Sequence, residues 1–155
     1  MDEITDEQED SLLGWTYQGK EYTTLDKNVY GFIYCLILDT GEKYIGKKQC
    51  HKKLTLPSLK SGEIRDGAQR IGRNKNGKRV YYDVIYKEND WRTYESSSDL
   101  VKDKTVVSKE ILELAPTMRS LTYLEAKWQF KLDVLEDDNY LNKNIGGRYF
   151  RNNLL

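Results

Sequence analysis

The run from Val29 to Lys48, centred on Asp39-Thr40-Gly41, constrains this chain more than any other stretch. Val29 to Leu38 is β-branched, aromatic or aliphatic almost throughout, as a strand requires. Both alternation faces are apolar, which predicts a strand in the interior of a sheet. Asp39-Thr40-Gly41 is turn chemistry, because Asp tolerates the first turn position and Gly accepts a positive φ at the last. A type I turn closed by a left-handed glycine gives a three-residue loop with a bulge. That loop fixes the register: Leu38 faces Glu42, Leu36 faces Tyr44 and Tyr34 faces Gly46. Tyr34, Tyr44 and Lys48 then share one face of the sheet. A two-residue loop would send Tyr44 to the other face. Two phenols and an ammonium beside a glycine form a polar cluster with room for a substrate.

The chain has 155 residues, enough for one domain with a modest core. No apolar run approaches the ~20 residues of a membrane span, and the acidic first ten residues do not form a signal peptide. No membrane partner is expected. Cys35 and Cys50 are isolated, so no disulfide framework is expected and the chemistry fits a reducing cytoplasm. One His and two Cys argue against a zinc site. The formal net charge is zero, but it is unevenly spread. Residues 1–42 hold ten acids and two bases, residues 43–92 fourteen bases and five acids, and residues 93–155 nine bases and ten acids. The central block is a candidate phosphate-binding surface that begins at the tyrosine hairpin.

In chain order, residues 1–28 read as an acidic N-terminal arm, partly disordered, in which Gly14 to Tyr22 makes a short hairpin turning at Gln18-Gly19. Trp15 and Tyr17 are placed to pack on the main sheet or on a partner chain. Residues 29–155 read as a single domain with an insertion over about 51–86: a loop, a turn at Asn76-Gly77, and a hairpin or strand through Val80 to Tyr86. A serine after Trp91 caps a short helix through about Lys102. Thr105 to Leu114 is a third strand. Ser120 caps a helix running to Leu135, whose Leu121, Leu124, Trp128 and Leu132 repeat at helical spacing. Glu125 falls on that apolar face, where a carboxylate must be paired, protonated or bound to a cation.

Phe32-Ile33-Tyr34, followed after nine residues by Tyr44-Ile45-Gly46, resembles the paired motif of the GIY-YIG nuclease superfamily. Phe32 stands where that motif usually has Gly, with Gly31 one place earlier. Tyr44 to Lys48, Trp91-Arg92-Thr93-Tyr94-Glu95-Ser96-Ser97-Ser98, Tyr123-Leu124-Glu125 and Tyr140-Leu141-Asn142 are similar to motifs of small bacteriophage members, with Ser96 in place of a usual Gly. The resemblance implies an α/β (α+β) fold: a small mixed or antiparallel three-stranded sheet flanked by helices, with a basic insertion after the hairpin.

The resemblance also implies a metal-dependent DNA endonuclease, acting in the cytoplasm (the host's, for a phage protein). Tyr34 would help activate or position the attacking water and Tyr44 would support it; because a phenol of pKa about 10 is a poor base at pH 7, a nearby Lys48 or the metal must lower it. Glu125 would bind Mg²⁺ or Mn²⁺, Arg92 would neutralise the phosphate, and Asn142 would brace the site. The superfamily's usual arginine position is occupied by Leu54, so Arg70, Arg73 and Arg79 remain alternatives to Arg92. Lys47, Lys52, Lys53, Arg70, Arg73 and Arg79 are the candidate DNA contacts. Specificity would come from the insertion or from a homodimer, or would be low. The rival reading is a catalytically weak or inactive protein of the same fold that holds nucleic acid or a host factor.

Overall fold

The computed structural model describes residues 13–57, 68–73 and 75–154. The acidic segment Met1 to Asp10 lies outside them. The chain divides into two units, one made of Met1–Cys50 with Asp90–Leu155 and the other of His51–Asn89.

In the first unit the turn at Asp39-Thr40-Gly41 forms as its chemistry dictates. Gly41 has φ +87, its N–H donates to the Leu38 carbonyl, and Leu38 N donates to Glu42 O at 2.8 Å. Strand β3 (Gly31–Leu38) therefore pairs with β4 (Lys43–Gln49) in the expected register, Tyr34 opposite Gly46 and Leu36 opposite Tyr44. On its other side β3 pairs antiparallel with β8 (Val106–Ala115), which makes it the interior strand its two apolar faces predict. The N-terminal hairpin also forms. Strands β1 (Thr16–Tyr17) and β2 (Lys20–Glu21) join through Gln18 and Gly19, both at positive φ, and β1 adds parallel to β8. The result is a mixed five-stranded sheet in the order β2-β1-β8-β3-β4, two strands wider than the expected three.

The two sheet faces carry separate cores. On one, Phe32, Tyr34, Leu36 and Leu38 pack with Trp15, Trp91, Val101 and Ile111. Trp15 is thus a core residue, its ring 4.8 Å from Phe32 and its indole N–H on the Trp91 carbonyl. On the other, Ile33, Ile45 and Ala115 pack with Leu121, Leu124, Val134 and Leu135. This second face is covered by the helix α1 (Met118–Lys131), the single α-helix among the described residues. Gly31 allows the close fit: a Cβ there would collide with the Lys48 carbonyl and lie 2.9 Å from Leu121 Cδ2.

Both ends of α1 differ from expectation. Thr117, not Ser120, is the N-cap, and Thr117 and Ser120 close a reciprocal capping box. Pro116 just upstream favours extended backbone at its predecessor, so the helix begins directly after Thr117. It ends at Lys131 rather than Leu135 because Asp133 turns left-handed, φ +52, which Asp tolerates better than most residues. The expected short helix before Lys102 is instead a series of turns.

β4 is an edge strand, and its outward backbone groups are met by other parts of the unit. Lys43 N donates to Asn139 O and Lys43 O accepts from Leu141 N. Ile45 N donates to Asn142 Oδ1, and Ile45 O accepts from both Asn142 Nδ2 and Gln129 Nε2. The Lys47 N–H hydrogen-bonds to Glu125. Behind Asn142 sits Arg151, whose guanidinium donates to the carbonyls of Val134, Asp137, Tyr140 and Asn142. It ties the loop after α1 to the C-terminal strands β9 (Asn144–Ile145) and β10 (Tyr149–Phe150).

The second unit holds β5 (His51–Thr55), β6 (Ala68–Arg73) and β7 (Arg79–Glu88), an antiparallel sheet in the order β5-β7-β6. The Asn76-Gly77 turn links β6 to β7, with Gly77 at φ +78. The hairpin expected about Asn76-Gly77 is β6 and β7, and the stretch expected as loop before it also holds β5.

Candidate active site

The hairpin brings Tyr34 and Tyr44 to one face, ring centroids 6.4 Å apart. Gly46 lies between them. A Cβ on Gly46 would sit 2.5 Å from Tyr34 Oη and 3.1 Å from Tyr44 Cε1, so the Tyr34 hydroxyl occupies space that only glycine leaves open. Tyr94 closes the other side, 6.1 Å from Tyr34 and edge-on. The turn segment after Tyr94 supplies hydroxyls: Ser96 hydrogen-bonds to Tyr34 and Ser98 to Tyr44. Ser96 has φ +94, a region natural to glycine and strained for serine by roughly 1–3 kcal/mol. The departure from the usual Gly at this place thus exchanges backbone ease for a hydroxyl on Tyr34.

Burial raises the Tyr34 phenol well above its ordinary pKa, with Tyr94 adding to the rise and the Ser96 hydroxyl opposing it. Burial also raises Tyr44, opposed by Ser98 and reinforced by the charge of Glu125. Both phenols are protonated at neutral pH. The Lys48 charge is directed away from Tyr34. Lys48 Nζ ion-pairs with Asp90 at 3.1 Å and lies 4.0 Å above the Tyr94 ring, and burial dominates the phenol.

Glu125 arrives by a route the sequence does not suggest. The tyrosines face the core of Trp15 and Trp91, while α1 covers the opposite face of the sheet. Glu125 therefore does not meet Tyr34 across a shared face. It reaches the β4 edge, where it accepts from Lys47 N–H, and from there its charge acts on Tyr44. Burial raises its carboxyl pKa, and the Lys47 charge and backbone N–H hold the rise back. Lys47 Nζ stands 3.9 Å from Glu125 Oε1 and donates to Thr122 Oγ1 at 3.1 Å.

Asn142 is buried and holds both backbone groups of Ile45, accepting from its N–H and donating to its carbonyl, which fixes the strand directly before Gly46. Arg92 is directed at the N-terminal arm, its Nε on Thr23 O at 2.8 Å and its guanidinium over Trp91. Lys52 and Lys53 lie on β5, Arg70 and Arg73 on β6 and Arg79 at the start of β7, all in the second unit.

The sequence reading missed Gln129, Ser98 and Arg151 as members of this assembly. Gln129 had a signal: it lies four residues after Glu125, hence on the same helix face. Arg151 had none, because its partners, apart from the exposed Asp138 carboxylate, are backbone carbonyls.

Among the described residues no group of three or more His, Cys, Asp or Glu side chains is gathered for a metal. A hard divalent cation keeps several waters and needs only one or two carboxylates. Glu125, a single desolvated carboxylate, meets the lower end of that requirement, and the Lys47 ammonium at 3.9 Å stands where a cation would compete for it.

A mixed α+β sheet, a tyrosine hairpin over a glycine and a helix-borne glutamate at the strand edge define a domain of the GIY-YIG type. The family model described as "Putative endonuclease segE, GIY-YIG domain" matches residues 15–145, and the chain belongs to that family of endonuclease domains. No curated protein and no solved structure matches the chain.

Proposed function

We propose that this GIY-YIG domain is a divalent-metal-dependent DNA endonuclease, phage-encoded and working in the host cytoplasm. The observation that carries the reading is Glu125: a carboxylate with only 24% of its side chain exposed, raised in pKa by burial, at a strand edge beside Tyr44. Burying an anion without full compensation costs several kcal/mol, and the fold tolerates that at functional positions.

A bound Mg²⁺ or Mn²⁺ would supply Lewis-acid polarisation of a phosphoryl oxygen, and Glu125 would hold it. Tyr44, protonated and oriented by Ser98, positions a water by hydrogen bonding. Tyr34, buried against Gly46, fixes the place of the Tyr44 ring and of the hairpin backbone. This division departs from the expectation that Tyr34 holds the water, because Tyr34 is 2% exposed whereas Tyr44 is half-buried. Lys47 neutralises developing phosphate charge, a role first assigned to Arg92. Its ammonium already stands at Glu125, whereas Arg92 donates to Thr23. Asn142 and Gln129 hold Ile45, and through it Gly46, in place.

The test is conversion of supercoiled plasmid to nicked or linear form, with Mg²⁺ and with EDTA. Glu125→Gln should abolish cleavage and leave DNA affinity unchanged, and Tyr44→Phe should reduce the rate more than Tyr34→Phe does. Full metal-dependent nicking by Glu125→Gln refutes the assignment. A wild-type protein that binds DNA and cuts none supports the rival reading, a binding protein on a nuclease fold.

A further inference from the structure

The second unit carries a feature that its own stability does not call for. In the β5-β7-β6 sheet Lys52 lies directly opposite Lys87, and Arg73 directly opposite Arg79. Like charges at directly opposed positions destabilise an antiparallel pair. All four side chains are exposed. Side chains alternate with period 2, so residues 79 and 87 of β7 share a face, and their partners on β6 and β5 share it with them. At about 3.4 Å per residue, the eight steps from Arg79 to Lys87 separate the two cation pairs by roughly 27 Å. Between them on that face the half-buried Leu54 and Ile85 stand opposite one another.

We propose that this face of the insertion sheet is a docking surface for duplex DNA, with the two repelling pairs as its phosphate contacts. The chemistry of the occupant follows from charge: two clusters of fixed positive charge at a spacing near eight base pairs, taking about 3.4 Å per step, match a regular polyanion. Neutralisation by phosphates relieves a repulsion that the free protein carries. The inference rests on the nuclease reading for its choice of DNA, and it assigns affinity to the insertion and cleavage to the GIY-YIG unit. Phosphate contacts position a duplex without reading its sequence, so affinity from this face is shared by all sequences.

The two activities are tested separately by measuring binding in EDTA. Fluorescence anisotropy with a labelled mixed-sequence duplex, titrated at several salt concentrations, gives affinity and salt slope for the full chain. The double variant Arg79→Glu with Lys87→Glu turns each like-charged pair into an opposite-charged one. It should lose at least about ten-fold in affinity and lower the slope of log K against log salt by about 1.8, at about 0.9 per lost contact, while its Tm stays level or rises. Lys52→Gln, which merely neutralises one member, should lose affinity in the same direction and also keep its Tm. Unchanged affinity and slope in the double variant overturn the proposal. So does a loss of binding accompanied by a falling Tm, since the pairs would then be holding the sheet together. Preference for an RNA duplex of equal length over DNA overturns the choice of ligand. A wild type that binds in EDTA but never nicks with Mg²⁺ refutes the nuclease reading alone and leaves this one standing.

Discussion

Gly46→Ala tests the geometry of the hairpin most directly. The added methyl would lie 2.5 Å from Tyr34 Oη and 2.7 Å from Tyr34 Cζ, where ordinary contact begins at 3.4 Å, so the phenol must retreat by nearly an ångström. It has little freedom to do so. Tyr34 is 2% exposed, with Trp15 at 5.4 Å and Tyr94 at 6.1 Å between ring centroids. Overpacking of this kind costs about 1–3 kcal/mol, and loss of the Ser96 hydrogen bond adds about 1 kcal/mol. Restricting the unfolded chain by replacing glycine returns about 0.4–1 kcal/mol. The net destabilisation is then about 1–3.5 kcal/mol, a fall in Tm of roughly 2–14 °C for a chain of this size. Thermal unfolding followed by circular dichroism measures it. Tyr34→Phe in the Gly46→Ala background removes the nearest clashing atom but leaves Cζ, so it should restore part of the loss. The coupling between the two sites should be about 1 kcal/mol. An ångström of misplacement at a reacting centre lowers rate by about 100-fold, and single-turnover nicking by Gly46→Ala should fall accordingly. A variant with wild-type Tm, or one strictly additive with Tyr34→Phe, would refute the reasoning that Tyr34 Oη is seated on the glycine.

Two further outcomes follow from the same unit. Folding raises the Glu125 pKa above its unfolded value, so the native state binds that proton more tightly than the unfolded chain. Its effect on stability is therefore most favourable below the unfolded value of about 4.3 and declines as pH rises through it toward the folded value. Glu125→Gln should accordingly be more stable than wild type at pH 7 in EDTA and lose the advantage near pH 4, and Mg²⁺ should raise the Tm of wild type but not of the variant; denaturation across pH with and without metal checks both. Arg151→Ala strands the carbonyls of Val134, Tyr140 and Asn142, while that of Asp137 keeps the Tyr140 N–H, and it should lose about 2–4 kcal/mol. Arg151→Lys should recover less than half of that, since three tetrahedral donors do not replace a planar fork. Chemical denaturation together with amide exchange at Ile45 would show the loss and its transmission to β4.

The hairpin was legible because a local rule decides it. Once Gly41 takes a positive φ, period-two alternation leaves Tyr34, Gly46 and Tyr44 no choice of face. The interior position of β3 was equally legible from its two apolar faces. Glu125 was half legible: helical periodicity puts it on the buried side of α1, but not on which face of the sheet that side lies. The tyrosines and the helix occupy opposite faces, and only the edge position of β4 lets the two halves of the site meet. Edge position is set by the order β2-β1-β8-β3-β4, a non-local property that no window of residues carries. The partners of Lys48 were not legible, because Asp90 and the Tyr94 ring reach it from a distant stretch of chain, and desolvation governs the Tyr34 phenol. The insertion hid its strands behind glycines and lysines, since a sheet with exposed charged faces lacks the apolar alternation that announces one.

The arrangement along β4 has a consequence for how this protein tolerates change. Glu125, Gln129 and Asn142 cover the outward backbone groups of Ile45 and Lys47, and an uncovered edge strand is a template for pairing with another chain. The same side chains that build the site therefore also keep the sheet to itself. Substitutions that strip them out, such as Asn142→Ala, open a sticky seam, and self-association would then mimic loss of chemistry in any assay of turnover. Replacements that keep a hydrogen-bonding group at the seam, Glu125→Gln among them, separate the two effects. The candidate site and the cover of the β4 edge therefore share residues, and a change to either is a change to both.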